Sequence, residues 1–472
     1  MTTLTAPDWV EPRPYQQRAI RAWFEADCSG IFRMATGTGK TVTALQAASQ
    51  VAASAESGFL LVITVPYQHL VDQWAEEIRD FGGDPVYGYD SRQKWQPRLE
   101  RELLELNRTA RDTTVLVTTH QTLSKQATHQ TLARAKVPIM LVGDEVHHLG
   151  APHRQQALLL DADLRLGLSA TPDRWYDDAG TEALTEYFCG TVFEYGLEEA
   201  IAAGALCEYY YIPHIVELTD EELEVFEQLT TEIGQQWPNS DEGDLNVNLD
   251  DHPKLKHLLF ERARLIGTAE NKLDLLTELL ERQSNSQYTL VYCSDGSTGL
   301  ESNSGRRHVD ATTEALRTDC EFSVSRFTAQ ESRSEREQIL NQFEQGDTEI
   351  LTAIRCLDEG IDVPATRTAY VLASTTNPRQ YVQRRGRILR NHPGKEVAVI
   401  HDFITVPDAD THPEFLAEGR QRSDQSLIEK ELTRALTFAK GARNHPDAEV
   451  DGIPTTEGSL QNLKRKYNIV SI

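Results

Sequence analysis

The sequence predicts an α/β protein built from two tandem parallel-sheet domains, a helical connector between them and a helical C-terminal appendage. Three observations carry that prediction. Short apolar runs rich in β-branched residues alternate with helix-length amphipathic segments, the alternation stops for some seventy residues, and it then resumes. At 472 residues the chain is also too long for a single core.

The first alternating series holds "FLLVITVP" (59–66), "TTVLVTTH" (113–120), "VPIMLVGDE" (137–145) and "LRLGLSATP" (164–172), which places a first domain over residues 1–205. Residues 206–285 then read as a helical connector, with "TDEELEVFEQLTTEI", "KLKHLLFERARLI" and "NKLDLLTELLERQ" separated by the polar stretch "QQWPNSDEGDLNVNLDDHP". The second series runs through "YTLVYC", "FSVSRFT", "EILTAI", "RTAYVLAS" and "EVAVIHDFI", giving a second domain over 286–405. Within it "SDGSTGLESNSGRR" has the composition of an exposed loop. Residues 406–472 turn charged and helical, an appendage suited to packing on the second domain or on a protein partner.

Composition narrows the function classes. Lys+Arg 47 against Asp+Glu 73 gives a net charge of −26, which excludes a generic polyanion-coating surface and confines any nucleic-acid contact to a groove. The excess of acidic residues, with Arg favoured over Lys, resembles proteins of salt-adapted organisms. Six scattered cysteines without a C-x-x-C pair read as buried thiols in a reducing compartment. With no apolar run of membrane-spanning length and no basic-then-apolar leader, the expectation is a cytoplasmic protein without a membrane partner.

The most informative stretch is "MATGTGKT" (34–41), set between an apolar strand and an Ala-rich helix. Gly37 and Gly39 let the backbone of Ala35, Thr36, Gly37, Thr38 and Gly39 curl so that successive N–H groups face phosphate oxygens, aided by the helix dipole. Lys40 then reaches the β- and γ-phosphates of ATP, and Thr41 ligates Mg²⁺. Such a loop needs an acidic partner on a neighbouring strand, and "LVGDEVHH" supplies it. Asp144 is the candidate metal ligand, and Glu145 the group that orients or deprotonates the attacking water. His147, His148 and His153 lack the spacing and thiol company of a metal site.

"MATGTGKT", "DEVH" and "LSATP" resemble motifs I, II and III of the superfamily 2 DExH-box helicases and translocases, while "CLDEGIDVP" (356–364) and "QRRGRILR" (383–390) resemble motifs V and VI. Residues 10 to 405 are covered by this likeness, which is strongest to the XPB-like branch through "PRPYQQRAI" (12–20) and "VPYQHLVDQW" (65–74). The resemblance implies two RecA-like domains with ATP between them, and Gln16, with Arg13 beside it, on the adenine. It implies that Arg387 and Arg390 face the γ-phosphate and that Gly360 and Asp362 lie near the ribose. Coupling falls to His147, Ser169, Thr171, Gln383 and Arg384. Strand contacts fall to Pro66, Tyr67, Thr119, His120, Thr328 and Thr352, which are mostly small donors suited to phosphate and sugar. Where the XPB group carries an Arg-Glu-Asp triplet, this chain reads "PDRWYDD", keeping Arg174 but not the next two residues.

The implied activity is an ATP-dependent helicase or translocase acting on single- or double-stranded DNA. The alternatives are an RNA helicase, or a nucleic-acid-gated ATPase subunit of a repair, defence or restriction complex that does not unwind.

Overall fold

A computed structural model describes residues 4–56, 58–174, 177–236, 252–283, 285–297, 306–354, 363–373, 378–407, 418–445 and 457–467. Gly360, Asp362, Trp175 and Tyr176, and most of the loop inside 294–307, lie outside the described residues. The chain forms two units, residues 1–203 and 204–472.

Among the described residues the first unit has seven strands: β1 (Ser29–Met34), β2 (Phe59–Val65), β3 (Val86–Gly88), β4 (Thr113–Thr119), β5 (Ile139–Asp144), β6 (Leu164–Ser169) and β7 (Thr191–Tyr195). They form one parallel sheet in the order β3-β4-β2-β5-β6-β1-β7. Every residue of β2 and β4 is buried, because helices cover both faces; this is why these strands read as continuous apolar or Thr-rich runs instead of alternating ones. Leu60, Val62, Leu116 and Leu141 pack with Trp95, Leu99 and Phe188. Each such side chain contributes roughly 1.5–3 kcal/mol by leaving water. Because all strands run the same way, their C-terminal ends share one edge of the sheet, where an open α/β fold places its ligands. Three helices matter there: α1 (Pro14–Glu25), α2 (Lys40–Ser54) and α3 (Gln68–Asp80).

Among the described residues the second unit has six: β8 (Glu208–Glu217), β9 (Thr289–Tyr292), β10 (Val324–Phe327), β11 (Ile350–Ala353), β12 (Thr368–Val371) and β13 (Val397–Val406). The order is β10-β11-β9-β12-β13-β8, again parallel throughout. Val291, Ile350, Tyr370 and Phe403 form its core with Leu276 and Leu316. The segment 206–285 differs from a purely helical connector. It opens with β8, which pairs along its whole length with β13, and the helices Asp220–Gln236, Pro253–Gly267 and Asn271–Glu281 follow. The last of these is tied to the sheet by Lys272, fully buried, whose Nζ donates to the carbonyls of Ile266 and Leu372, each at 2.7 Å. The helices Glu418–Ala439 and Glu457–Lys466 form the C-terminal region and pack on this same unit. Among the described residues no helix is long and apolar enough to cross a membrane.

Candidate functional site

The phosphate-loop segment bridges β1 and α2. Gly37 and Gly39 take φ of 88° and 79°, left-handed values that strain any residue with a side chain. A Cβ on Gly39 would also come within 3.0 Å of Gln16 Nε2. The loop is held from several sides. Ala35 N donates to Tyr195 O at 2.9 Å, Thr38 Oγ1 to Ala35 O at 2.7 Å, and Lys40 Nζ to Met34 O at 3.2 Å. Thr41 stands half-buried in the first turn of α2, whose leading N–H groups have no partner within the helix and point into the loop. Thr36 Oγ1 is buried without a hydrogen-bond partner among the described residues. An orphaned hydroxyl beside a ring of backbone donors fits a polyanionic group in the loop.

Tyr15, which sequence reasoning passed over, braces the loop from α1. Its hydroxyl donates to Thr38 O at 2.7 Å, and its ring stacks on Tyr195 with centroids 4.1 Å apart. Gln16 is buried between the two: Oε1 accepts Arg13 N at 2.8 Å and Nε2 lies 3.5 Å from Gly39 O.

At the end of β5, Asp144 Oδ2 accepts a hydrogen bond from Trp74 Nε1 at 2.9 Å, and Oδ1 accepts one from Glu145 N at 3.0 Å. Trp74, 1% exposed on α3, is a second residue missed from sequence. Glu145 adopts φ 46°, ψ 52°, a left-handed conformation that costs a non-glycine residue on the order of 1 kcal/mol. Its Oε2 lies 3.4 Å from His147 Nδ1. The same ring nitrogen is 3.2 Å from Ser169 Oγ at the end of β6, and Ser169 Oγ accepts Thr171 N at 3.1 Å. Motifs II and III are thus joined by a buried polar chain. Arg174 closes it, donating to the carbonyl of His147 and, at 2.6 Å, to Asp177 Oδ2. Together Thr41 and Asp144 offer the hard oxygen donors that Mg²⁺ takes. Among the described residues no three His, Cys, Asp or Glu side chains gather as a metal cluster.

In the second unit the arginine-rich segment lies on the helix Pro378–Ile388 and just beyond it. Arg384 donates to Ala373 O at 3.2 Å and lies over the Tyr292 ring at 5.0 Å. Gln383 is 1% exposed, with both amide atoms lacking a partner among the described residues. Arg387 is half-buried. Burial pushes the Arg390 guanidinium down to about 10. The helix end is capped by Lys395, whose Nζ donates to Ile388 O at 2.5 Å and Arg390 O at 2.9 Å.

The residues read as strand contacts are not gathered on an open surface. Tyr67 is 38% exposed. Pro66, Thr119, His120, Thr328 and Thr352 are buried, so their side chains do not present themselves to a strand in this conformation. Several of their polar atoms are used internally. His120 Nδ1 pairs with Thr64 Oγ1 at 2.9 Å, and Thr119 Oγ1 accepts Thr122 N as a helix cap. Thr328 Oγ1 donates to Glu331 Oε2 at 2.6 Å, and Thr352 Oγ1 meets Thr313 Oγ1 at 2.6 Å. Burial, then the neighbouring His148 and Arg154, hold His120 well below the usual imidazole range, so it stays neutral.

A parallel-sheet unit with a phosphate loop and an acidic pair on one sheet edge, followed by a second parallel-sheet unit with an arginine-rich helix, defines an ATP-hydrolysing enzyme of the helicase type. Residues 10–174 match the family of type III restriction enzyme res subunits, and residues 271–392 match the helicase conserved C-terminal domain. The chain is a superfamily 2 helicase/translocase related to the ResIII and XPB-like restriction and repair helicases. It is 28% identical over 420 residues to the DNA 3′-5′ translocase XPB2 of Sulfurisphaera tokodaii, covering 85% of this chain and 83% of that protein. It is 25% identical to a putative DNA 3′-5′ helicase Rad25 of Halobacterium salinarum, covering 82% of this chain but 53% of the relative. In fold it resembles the DNA-bound type ISP restriction-modification enzyme LlaBIII (TM-score 0.60, 15% identity, 97% of this chain and 32% of that one). It also resembles the Hef helicase domain of Pyrococcus furiosus (TM-score 0.53, 17% identity, 86% and 98%). The chain therefore spans about half of one curated relative and a third of the restriction enzyme.

Proposed function

We propose that this chain is an ATP-driven motor on DNA, a helicase or duplex translocase. The observation that carries the reading is the buried contact of His147, two residues beyond the acidic pair, with Ser169 Oγ, which also accepts Thr171 N; it ties the segment bearing the acidic pair to the neighbouring strand end. A hydrolase with no movement to drive has little use for such a tie.

In this reading ATP is the substrate, its phosphates cradled by the backbone of Ala35 to Gly39 and met by Lys40. Thr41 and Asp144 hold Mg²⁺, which when bound neutralises charge on the phosphate oxygens. Glu145 accepts a proton from the attacking water or aligns it. Gln16 and Arg13 face the adenine, and Gly360 and Asp362 the ribose. Arg387 and Arg390 of the second unit stabilise charge on the γ-phosphoryl group as it transfers, an effect worth about 10³ to 10⁵ in rate. Supplying these cations from a different unit makes turnover depend on domain closure, and alternating grip on a strand turns closure into movement. Tyr67 is the side chain ready for that strand; the buried donors Thr119, Thr328 and Thr352 reach it through rearrangement or through their backbone. DNA is favoured over RNA because the XPB2 and Rad25 relatives, alike over more than four fifths of this chain, are named for DNA.

The test is ATP hydrolysis with no nucleic acid, single-stranded DNA, duplex DNA and RNA, with strand displacement followed in parallel. Stimulation of at least tenfold by DNA is expected. Stimulation by RNA alone, or none by any polymer, would overturn the reading; stimulation without displacement would make the protein a translocase.

A further inference from the structure

The arginine-rich helix has two faces, and only one is accounted for by the proposed chemistry. Tyr381 and Arg385, one turn apart, face the other way, onto the C-terminal helix Glu418–Ala439. There they close on one side chain, Phe438, which is 3% exposed. The Arg385 guanidinium lies 5.0 Å over its ring, and the Tyr381 ring centroid is 5.8 Å away. Arg385 NH1 also donates to Thr437 O at 2.5 Å and lies 3.4 Å from Tyr209 Oη.

The C-terminal helix is itself fixed to the sheet. Arg434 pairs with Asp402 on β13 at 3.2 Å and with Glu431 at 2.7 Å, all three side chains 2% exposed or less. Tyr211 on β8 stacks on Phe438 at 5.5 Å and donates through its hydroxyl to Asp402 Oδ2 at 2.8 Å. Asn444 pairs with both backbone groups of Tyr211, at 2.9 and 2.8 Å. The appendage is therefore a rigid abutment, and the arginine helix is hooked to it through Phe438.

We infer that Phe438 and Arg385 are positioning residues for ATP hydrolysis: they set the rotation of the helix that carries Arg387. The inference rests on the proposed function. A helix that turns by about 10° on its axis moves a side-chain tip roughly 6 Å from that axis by about 1 Å. A displacement of about 1 Å at a reacting phosphate costs up to about 10²-fold in rate. The nucleotide's own binding surface, the loop of the first unit, is not altered by such a turn.

The experiment compares the full chain with Phe438→Ala, Phe438→Leu and Arg385→Gln, measuring kcat and KM for ATP at saturating DNA, fluorescent-nucleotide affinity and circular dichroism. Expected is a fall in kcat of about 10- to 100-fold for Phe438→Ala, with KM and nucleotide affinity within threefold of wild type and partial recovery in Phe438→Leu. If Phe438→Ala does not fold, Arg385→Gln decides, since it removes the guanidinium and leaves the aromatic packing. A folded variant with wild-type kcat, or a loss confined to KM, overturns the inference. Wild-type protein without ATPase activity under any nucleic acid overturns the proposed function instead, and the inference with it.

Discussion

Replacing Trp74 by Phe isolates one hydrogen bond. The aromatic ring and its packing on α3 remain, whereas the N–H that Asp144 Oδ2 accepts at 2.9 Å is lost. A hydrogen bond to a charged acceptor is worth about 1.5–3 kcal/mol, and here the donor is 1% exposed, so water does not replace it. Hydrogen-bond donors to metal-binding carboxylates typically carry about 10- to 100-fold in metal affinity or activity, the same range in free energy. If Asp144 holds Mg²⁺, the Mg²⁺ concentration for half-maximal ATPase activity rises by that factor in Trp74→Phe. The fold, and nucleotide binding without metal, should stay unchanged. The assay is a Mg²⁺ titration of steady-state hydrolysis at fixed ATP, with a near-ultraviolet spectrum as the check on folding. An unshifted titration in a folded variant would refute both the orienting role of Trp74 and the metal-binding role of Asp144.

Arg390→Ala should lower turnover by about 10³ to 10⁵ while nucleotide affinity changes little, and Arg390→Lys should not restore it because an ammonium lacks the planar fork; undiminished turnover would end the two-unit mechanism. Arg434→Met leaves Asp402 and Glu431 buried without their cation and should destabilise the second unit by about 3–5 kcal/mol, read as a lower denaturant midpoint. Acid should also weaken that unit. Burial, with Lys272 next in effect, holds His308 down to about 3, and burial with His214 does the same for His401. The unfolded chain takes up protons below about 6.5 that the folded chain refuses, so stability is present above that value and is lost on acidification. At pH 5 each histidine costs about 2 kcal/mol. His308→Asn, which keeps an acceptor for Ser294 N, should flatten the decline between pH 7 and 5 in denaturant melts, and an unchanged slope would contradict the assignment.

The phosphate loop and acidic pair were legible in the sequence because their chemistry demands particular residues at short spacing: two glycines with positive φ before a lysine, and carboxylates at a strand end. Their supports were not. Trp74 meets Asp144 from 70 positions away, and Arg385 meets Tyr209 from 176, distances over which no local pattern survives. Strand β8 was hidden by Pro213, which argues against a central strand; the structure tolerates it because β8 is an edge. Thr328, Thr352 and His120 show the converse. Their residue types suit strand contact, yet their side chains are buried, and Thr328 Oγ1, Thr352 Oγ1 and His120 Nδ1 already have internal partners. Residue type says what a group is able to bind, whereas burial decides what it can reach.

The pairing of β8 with β13 has a consequence for how the polypeptide matures on the ribosome. Glu208 lies opposite Val397, nearly two hundred residues further along, and Tyr211 waits for Asn444, 233 positions later. Residues 1–203 can assemble as soon as they emerge, but in the later sheet β8 has no partner until residues 397–406 have been translated. Such nonlocal closure is slow, so the nascent second half spends its synthesis with β8 unpaired and in need of protection from aggregation.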